Sequence, residues 1–382
     1  MSPAELAAEL VRLDSRNPTL VPGAPGERQV ARYLARLLES WAFRVTVQEV
    51  APGRSNVVAR AGRAITGFRS IMFNGHMDIV GVEGMTHSPF EPTITDGRMY
   101  GRGSADMKAG IAAMCTAARD AVATGIDGEI IVALVIDEEY ESLGTRALIA
   151  SGIRADAAVI TEPTGLAICP AHRGFVWMRV DVHGRAAHGS RYDIGVDAIT
   201  HAALILAELD RIQRSSLGAR THPLLGRGSL HASTISGGSG LSTYPDRCTV
   251  EIERRTLPGD TADTFLAELS EAIEAARRAH PDVRAELTLL TTQAASDVVT
   301  DAPVVQAMTK ALSAEDVTVR VEGMSAWTDA ALLNEAGIPA ICFGPGDIGL
   351  AHSATEFVPV SEIGTATRVL TRLAESWCNT PR

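Results

Sequence analysis

Two observations predict an α/β protein with two parts. The first is a domain built on a parallel sheet, and the second is a two-layer α/β unit inserted into the chain of that domain. In residues 1 to about 171, apolar runs with strand character alternate with helical patterns. This alternation is typical of a parallel sheet with helices on both faces. After Arg173 the strands alternate apolar and polar residues instead, and the first pattern resumes from about residue 292. The length of 382 residues is also enough for two domains.

The predicted elements of the first region rest on two kinds of periodicity. Short runs that are almost wholly apolar are typical of strands buried on both faces, and apolar residues at helical spacing predict helices. The predicted strands are Ser55–Arg60, Ser70–Asn74, Glu129–Ile136 and Ala157–Thr161. The predicted helices are Glu27–Glu39, Met107–Thr124 and Gly144–Ala150. The opening residues MSPAELAAELVRLDSRNP predict a further, amphipathic helix.

The second region predicts a compact unit with the element order βαββαβ. Its elements are strand Phe175–Val182, helix Val196–Arg214, strands Ser229–Ser236 and Thr249–Arg255, helix Ala262–Ala279 and strand Arg284–Leu290. Beyond it, the sequence predicts helix Pro303–Ser313 and strands at Thr318–Val321 and Ile338–Phe343. We therefore predict a discontinuous first domain of residues 1–172 and 292–382, and an inserted domain of residues 173–291.

Histidines and acids follow the ends of the apolar runs. They are His76 and Asp78 after the second strand, Glu138 and Glu139 after the third, Glu162 after the fourth, and His352 in the loop after the last. Asp106 lies in the glycine-rich turn GRGSADMKAG. Open α/β sheets place their chemistry at the carboxyl ends of their strands. We therefore expect these side chains to meet at one edge of the sheet.

The chemistry of these residues indicates a metal site. Histidines and carboxylates without a nearby cysteine suit zinc, cobalt or manganese. There are more acids than one ion needs, which favours two ions bridged by a carboxylate. Residues two apart on a strand point to the same side, so we expect Asp78 to orient the His76 ring.

Composition excludes several classes of protein. The net charge of −11 argues against nucleic-acid binding, which needs a basic face. No apolar run approaches the roughly 18–20 residues of a membrane helix. The first residues lack the basic and apolar regions of a signal peptide. The five cysteines are scattered without C-x-x-C spacing, so we expect reduced thiols in a cytoplasmic protein.

Motifs along nearly the whole chain resemble one family. They are Asn17-Pro18 with Gly26-Glu27, GHMD, DGRMYGRGSADMKAG, DEE, TEPT, GRAAHGS, ERRTLPGD and GPG with AHSATEFV, in this order. The sequence is identified as similar to the M20-type metallopeptidases and amidohydrolases, which include acetylornithine deacetylase, succinyl-diaminopimelate desuccinylase, aminoacylase and carboxypeptidase G2. The resemblance implies a three-layer, zinc-exopeptidase-like catalytic domain with an inserted lid or dimerisation domain.

Position by position, the resemblance implies two divalent ions, with zinc expected and cobalt or manganese as alternatives. His76 and Glu162 would bind the first ion. Glu139 and His352 would bind the second, and Asp106 would bridge the two.

The resemblance also assigns catalytic roles. Glu138 would be the general base that takes a proton from the attacking water, and Asp78 would orient His76. The bond Asp106–Met107 matches the family's position for a cis peptide.

The insert carries two further residues of the family pattern. His188, in GRAAHGS, matches a histidine that reaches a neighbouring subunit's active site and stabilises the oxyanion, which implies a homodimer joined through the lid. Arg255, in ERRTLPGD, matches the arginine that binds the substrate carboxylate, and a planar two-donor fork suits that role. One departure concerns the substrate: many relatives have an asparagine shortly before the Pro-Asp pair, whereas the segment around Ser242 in this chain, Leu241-Ser242-Thr243-Tyr244-Pro245-Asp246, has none.

These observations predict a metal-dependent hydrolase that cleaves the amide bond of an N-acyl amino acid, with activity like that of acetylornithine deacetylase. A carboxypeptidase or dipeptidase with a dipeptide substrate is the alternative, since both reactions need the metals, Glu138 and Arg255. A binding protein that has lost the chemistry would lack a ligand or the base, and none is lacking. A purely structural oligomer would not explain the acids. The acyl group and the side chain of the substrate stay open.

Overall fold

The computed structural model describes residues 1–217 and 220–382, which form two compact units. The first unit comprises Met1–Pro170, Val298–Gly323 and Thr328–Arg382. The second comprises Ala171–Asp297 and Met324–Trp327.

The helices and strands of the described residues are numbered in chain order. The helices are α1 (Pro3–Val11), α2 (Arg28–Ser40), α3 (Ala109–Thr124), α4 (Leu143–Ala150), α5 (Ala198–Ile212), α6 (Ala262–Ala279), α7 (Pro303–Ala314), α8 (Ala330–Glu335) and α9 (Val360–Cys378). The strands up to the start of the second unit are β1 (Arg44–Ala51), β2 (Arg54–Ala61), β3 (Ser70–His76), β4 (Thr93–Thr95), β5 (Arg98–Tyr100), β6 (Glu129–Val135), β7 (Ala157–Ile160) and β8 (Ile168–His172). The later strands are β9 (Gly174–His183), β10 (Thr221–His222), β11 (Gly226–Arg227), β12 (Ser229–Gly237), β13 (Arg247–Thr256), β14 (Arg284–Gln293), β15 (Ser296–Asp297), β16 (Val321–Met324), β17 (Ala340–Cys342) and β18 (Phe357–Pro359).

The first unit is built on a central sheet with the strand order β1-β2-β6-β3-β7-β17-β8. The four strands β6, β3, β7 and β17 are parallel to their neighbours in this group. The strands β1 and β2 on one side, and β8 on the other, join the sheet in antiparallel fashion. The carboxyl ends of β3, β6 and β7 therefore lie at one edge.

Helices cover both faces of this sheet. Successive side chains of a strand point to opposite faces of the sheet, so Ile71 and Phe73 of β3 lie on the same face. On that face they share one buried core with α1, α2, α3, α7 and α9. The short helices α4 and α8 contact each other and the other face. Because β3 is covered on both sides, every residue of it is buried, which explains its continuous apolar run.

In the described residues of the second unit, an antiparallel sheet packs against α5 and α6. The strand order is β12-β13-β9-β14, and the elements follow the chain order β9-α5-β12-β13-α6-β14. Val176, Met178 and Val180 of β9 alternate inward and pack with α5 and α6 in a separate core. Both helices begin at side-chain caps, where Asp197 and Thr261 accept the backbone N–H of the residue three positions on.

The predicted fold class is confirmed, whereas some predicted elements differ in position. The strand expected at Thr318–Val321 instead occupies Val321–Met324, and the opening helix ends at Val11 rather than continuing to Asn17. The C-terminal helix α9 was not predicted, although Ile363, Val369 and its other apolar residues lie at helical spacing. Its place is explained by packing, since α9 lies against α3 and α7.

Two further observations concern the character of the chain. Within the two described ranges, none of the helices has both the length and the apolar character required to cross a membrane. The cysteines at 115, 169, 248, 342 and 378 are all buried and carry free thiols.

Candidate metal centre and active site

His76 ends β3 in the middle of the sheet edge, and its ring is almost completely buried. The Nδ1 nitrogen lies 3.0 Å from the backbone oxygen of Asp78 and donates a hydrogen bond to it. The Nε2 nitrogen is thereby directed to two carboxylates, at 3.0 Å from Asp106 Oδ1 and 3.6 Å from Glu162 Oε1. A neutral imidazole held in this way presents a lone pair at Nε2 to a metal ion.

Asp106 lies in the irregular turn of residues 104–108, between the sheet and α3. The bond Asp106–Met107 is cis, as the resemblance implied. Its carboxylate lies between two histidines: Oδ1 faces His76, and Oδ2 lies 3.4 Å from His352 Nε2. A carboxylate with one oxygen directed to each of two nitrogen ligands has the arrangement of a bridging ligand.

The remaining acids come from the loops after β6 and β7. Glu139 Oε2 lies 3.0 Å from His352 Nε2. The ligand atoms of His76, Asp106 and Glu139 lie within 4.8 Å of one another, and those of His76, Glu138 and Glu162 form a second such group. The structure therefore brings together His76, Asp106, Glu139, Glu162, His352 and Glu138, which come from five separate segments of the chain.

Burial and mutual repulsion dominate the electrostatics of the acids. Burial raises the pKa of Glu138 well above its usual value, and the charge of Glu162 raises it further. Burial and the charge of Asp106 likewise raise the pKa of Glu162. Asp329, also buried nearby in the first unit, has its pKa raised to about 6, mainly by burial. Carboxylates gathered in this way are stabilised by cations, so this set of donors fits divalent metal ions.

The pKa values of the two histidines are also raised, but here the shift favours the charged form. Hydrogen bonds to Asp106 and Glu139 raise the pKa of His352 to about 10. Burial lowers the pKa of His76, but the hydrogen bond to Asp106 and the charges of Glu162 and Glu138 outweigh it and raise the pKa well above its usual value. Burial alone would raise the pKa of Asp106, but the hydrogen bonds from both histidines outweigh this effect and lower it. Without a metal, protons on the histidines balance part of the negative charge.

Asp78 differs from the expectation that its carboxylate would hold the His76 ring. The backbone oxygen of Asp78 makes that hydrogen bond, and the carboxylate is 3.7 Å from Nδ1. The carboxylate instead accepts the backbone N–H groups of Glu138 at 3.1 Å and Glu139 at 3.2 Å. Because β3 ends at His76, the alternation of side chains along a strand does not extend to Asp78.

A buried polar network continues behind Asp78. Asn17 Nδ2 donates to Asp78 Oδ2 at 2.9 Å and to Asp137 Oδ1 at 3.0 Å. Arg54 pairs with Asp137 at 2.9 Å and with Glu27 through two nitrogens. Asn17 and Glu27 stand in motifs that carry the family resemblance, but sequence analysis assigned no role to either and did not identify Arg54.

Glu356 is a second residue that sequence analysis missed. Its fully buried carboxylate accepts the backbone N–H groups of Gly103, Ala105 and Asp106 at 2.9 to 3.1 Å, and it pairs with Arg102 at 2.7 Å. It thereby fixes the turn that carries the central carboxylate. The only signal in the sequence was its place in the motif AHSATEFV.

The two remaining predicted site residues, His188 and Arg255, belong to the second unit. His188 is exposed, and its Nδ1 lies 2.8 Å from Ser190 Oγ. Arg255 Nε lies 2.9 Å from Glu253 Oε1, and its guanidinium lies over the Phe175 ring at 5.4 Å.

Comparisons with known proteins agree with the geometry. The profile of the peptidase family M20/M25/M40 matches residues 72–376. Acetylornithine deacetylase of Myxococcus xanthus is 30% identical over 328 residues, which cover 85% of this chain and 84% of that protein. Aminopeptidase PepT of Bacillus cereus superposes with a TM-score of 0.81 at 22% identity, covering 98% of this chain and 97% of that one. The YxeP protein of Bacillus subtilis, described as a dinuclear metal binding peptidase, superposes with a TM-score of 0.74 at 16% identity, covering 98% and 97%.

Proposed function

This chain belongs to the peptidase family M20/M25/M40 and is a hydrolase, and on that premise we propose that it uses two divalent metal ions to hydrolyse the amide bond of N-acyl amino acids. The observation that carries the proposal is the convergence of His76, Asp106, Glu138, Glu139, Glu162 and His352 at one sheet edge. The similarity to acetylornithine deacetylases favours deacylation as the reaction.

The proposed ligands divide around Asp106. His76 and Glu162 would hold one ion, Glu139 and His352 the other, and Asp106 would bridge them. Zinc is the expected metal, and cobalt and manganese suit the same donors. When bound, the ions would supply Lewis-acid polarisation of the scissile carbonyl and a water of lowered pKa.

Glu138 is the proposed general base. It belongs to one of the two candidate ligand groups, yet within residues 1–217 and 220–382 it makes no hydrogen bond to a histidine like that of Glu139. It would take the proton from the attacking water and deliver it to the leaving amine. Asp78 supports this role because its carboxylate holds the backbone of both Glu138 and Glu139.

The second unit supplies the other proposed contacts. Arg255 would bind the substrate carboxylate with its guanidinium, and His188 would stabilise the oxyanion in the active site of a neighbouring subunit. We accordingly propose that residues 173–291 form a lid and dimerisation domain inserted into a catalytic domain of residues 1–172 and 292–382. We further propose a cytoplasmic homodimer, which the buried free thiols and the exposed His188 support.

A substrate panel tests the proposed reaction. The zinc-loaded protein should hydrolyse N-acetyl-L-amino acids, with release of the free amine measured by ninhydrin, and this activity should disappear on chelation. Dipeptides are the comparison, because a carboxypeptidase or dipeptidase would use the same metals, Glu138 and Arg255. Hydrolysis of dipeptides with no activity on any N-acyl amino acid would overturn the deacylase assignment.

A further inference from the structure

The second unit carries an aromatic cluster, which we define as Phe175, Trp177 and Trp327. The ring centroids of Phe175 and Trp177 are 5.1 Å apart, and those of Phe175 and Trp327 are 6.5 Å apart in an edge-to-face arrangement. Phe175 and Trp177 alternate along β9 with Val176 and Met178, which pack under the helices. The aromatic cluster therefore lies on the opposite face of the sheet from α5 and α6.

Trp177 is exposed although its polar atom is satisfied. Its indole Nε1 donates to Glu253 Oε1 at 3.2 Å, yet 45% of the residue is accessible to solvent. Trp327, which is partly buried, has its Nε1 bonded to the backbone oxygen of Ala294 at 3.0 Å. The rings thus present apolar surface with no need for a further hydrogen bond. Covering such surface with an apolar group is favourable.

Arg255 lies directly beside the aromatic cluster. It is the register partner of Phe175 across β13 and β9, and its guanidinium lies over that ring. Glu253 holds its Nε at 2.9 Å. Within the described residues, no hydrogen bond or ion pair engages its two Nη nitrogens, and a third of the side chain is exposed. A carboxylate bound to these nitrogens would lie next to the aromatic rings.

The charges around the aromatic cluster disfavour a cationic neighbour. Glu253 already accepts the Trp177 N–H, pairs with Arg255 and lies 3.3 Å from His231 Nε2. An ammonium group at the rings would therefore compete with these partners for the acid and would be repelled by the guanidinium. A neutral apolar group meets no such cost.

We propose that the aromatic cluster is the subsite for the side chain of the substrate, and that the substrate is an N-acyl derivative of an aromatic or large aliphatic amino acid. This inference rests on the proposed function, in which Arg255 binds the substrate carboxylate. In an amino acid the side chain and the carboxylate are bonded to the same carbon atom, Cα. A carboxylate held by Arg255 thus places its side chain against the rings of Phe175 and Trp177.

The test compares three substrates of the zinc-loaded protein: N-acetyl-L-phenylalanine, N-acetyl-L-ornithine and N-acetylglycine. We expect kcat/KM for the phenylalanine substrate to exceed that for the ornithine substrate by about tenfold, because contacts between aromatic rings stabilise a complex by about that factor. Trp177→Ala should lower kcat/KM for the phenylalanine substrate about tenfold more than for N-acetylglycine, which has no side chain to contact the ring. Trp177→Phe, which keeps a ring but loses the N–H to Glu253, should retain the preference.

Leu289→Ala is the matched control, because Leu289 is 49% exposed on β14 of the same sheet and lies outside the aromatic cluster. It should leave all three substrates unchanged. Equal or better hydrolysis of N-acetyl-L-ornithine would overturn the proposal. An equal loss on all three substrates in Trp177→Ala would also overturn it, because that would indicate an indirect effect through Glu253.

Calorimetric binding of free L-phenylalanine and L-ornithine separates this inference from the proposed function. If no N-acyl amino acid is hydrolysed but L-phenylalanine binds in a Trp177-dependent manner, the proposed function fails and the subsite stands. If hydrolysis proceeds without an aromatic preference, the subsite fails and the function stands. If neither amino acid binds and nothing is hydrolysed, both fail.

Discussion

Replacing Arg54 by methionine should destabilise the first unit, because Arg54 is the guanidinium partner of two buried carboxylates. It hydrogen-bonds Glu27 with Nε at 2.8 Å, pairs with it through Nη2 at 2.5 Å, and pairs with Asp137 at 2.9 Å. The side chains of Glu27 and Asp137 are both 0% exposed. Methionine preserves the length of the side chain but removes every one of these contacts.

The expected loss follows from this burial. Breaking a buried ion pair by removing one partner costs about 3–5 kcal/mol of unfolding free energy. Burial raises the pKa of Glu27, and the hydrogen bond from Arg54 lowers it. Without Arg54 that pKa rises further, so the folded state binds a proton that the unfolded state releases. The stability of Arg54→Met should therefore fall as the pH rises through this pKa.

Urea unfolding followed by circular dichroism measures the effect. Arg44→Met is the matched control, since the side chain of Arg44 is 70% exposed and pairs with Glu129 at 2.9 Å. A surface pair of this kind is worth about 1 kcal/mol or less. If Arg54→Met is no less stable than Arg44→Met, the buried ion pairs of Arg54 do not stabilise the first unit, and the reasoning is refuted.

The remaining predictions concern the site itself. Glu138→Gln should keep its metal content while kcat falls about 10²–10⁴-fold, because an amide cannot accept the proton of the water. Glu139→Gln should instead lose one metal ion. Metal analysis that shows the reverse would mean that the two roles are exchanged. Mixing inactive His188→Ala with inactive Glu138→Gln should restore activity, because one active site of the heterodimer would be intact; two parents that stay inactive after demonstrated subunit exchange would rule out a role for His188 in the neighbouring active site. Hydrogen bonds to carboxylates raise the pKa of His352 to about 10, so zinc must displace its proton and should bind more weakly as the pH falls; calorimetry in two buffers of different ionisation enthalpy should detect proton release, and zinc binding without it would contradict this prediction.

The meeting of several proposed ligands at one sheet edge could be predicted because their place in the sequence coincides with the end of a strand. His76 and Glu139 follow runs that are apolar because the sheet is covered on both faces, so a charged residue there lies at the sheet edge. Because β3 pairs in parallel with β6 and β7, the carboxyl ends of these strands lie side by side, independently of the loops that connect them.

The supporting residues could not be predicted in the same way. Arg54 contacts Glu27, which lies 27 positions away in the sequence, and Glu356 contacts Asp106, which lies 250 positions away. The local periodicity of the sequence gives no indication of such distant pairs. Asp78 lies beyond the end of β3, where the rule of alternating side chains no longer holds. These residues hold the loops that carry the proposed ligands, and they are identified by the burial of their charged groups, which depends on the folded structure.

The central claim, a dinuclear site at one sheet edge, is tested most directly by anomalous diffraction from crystals of the zinc-loaded protein. We predict two ions about 3.5–4 Å apart. One should contact His76, Asp106 and Glu162, and the other Asp106, Glu139 and His352. A single ion, or ions bound without Asp106 between them, would contradict the claim.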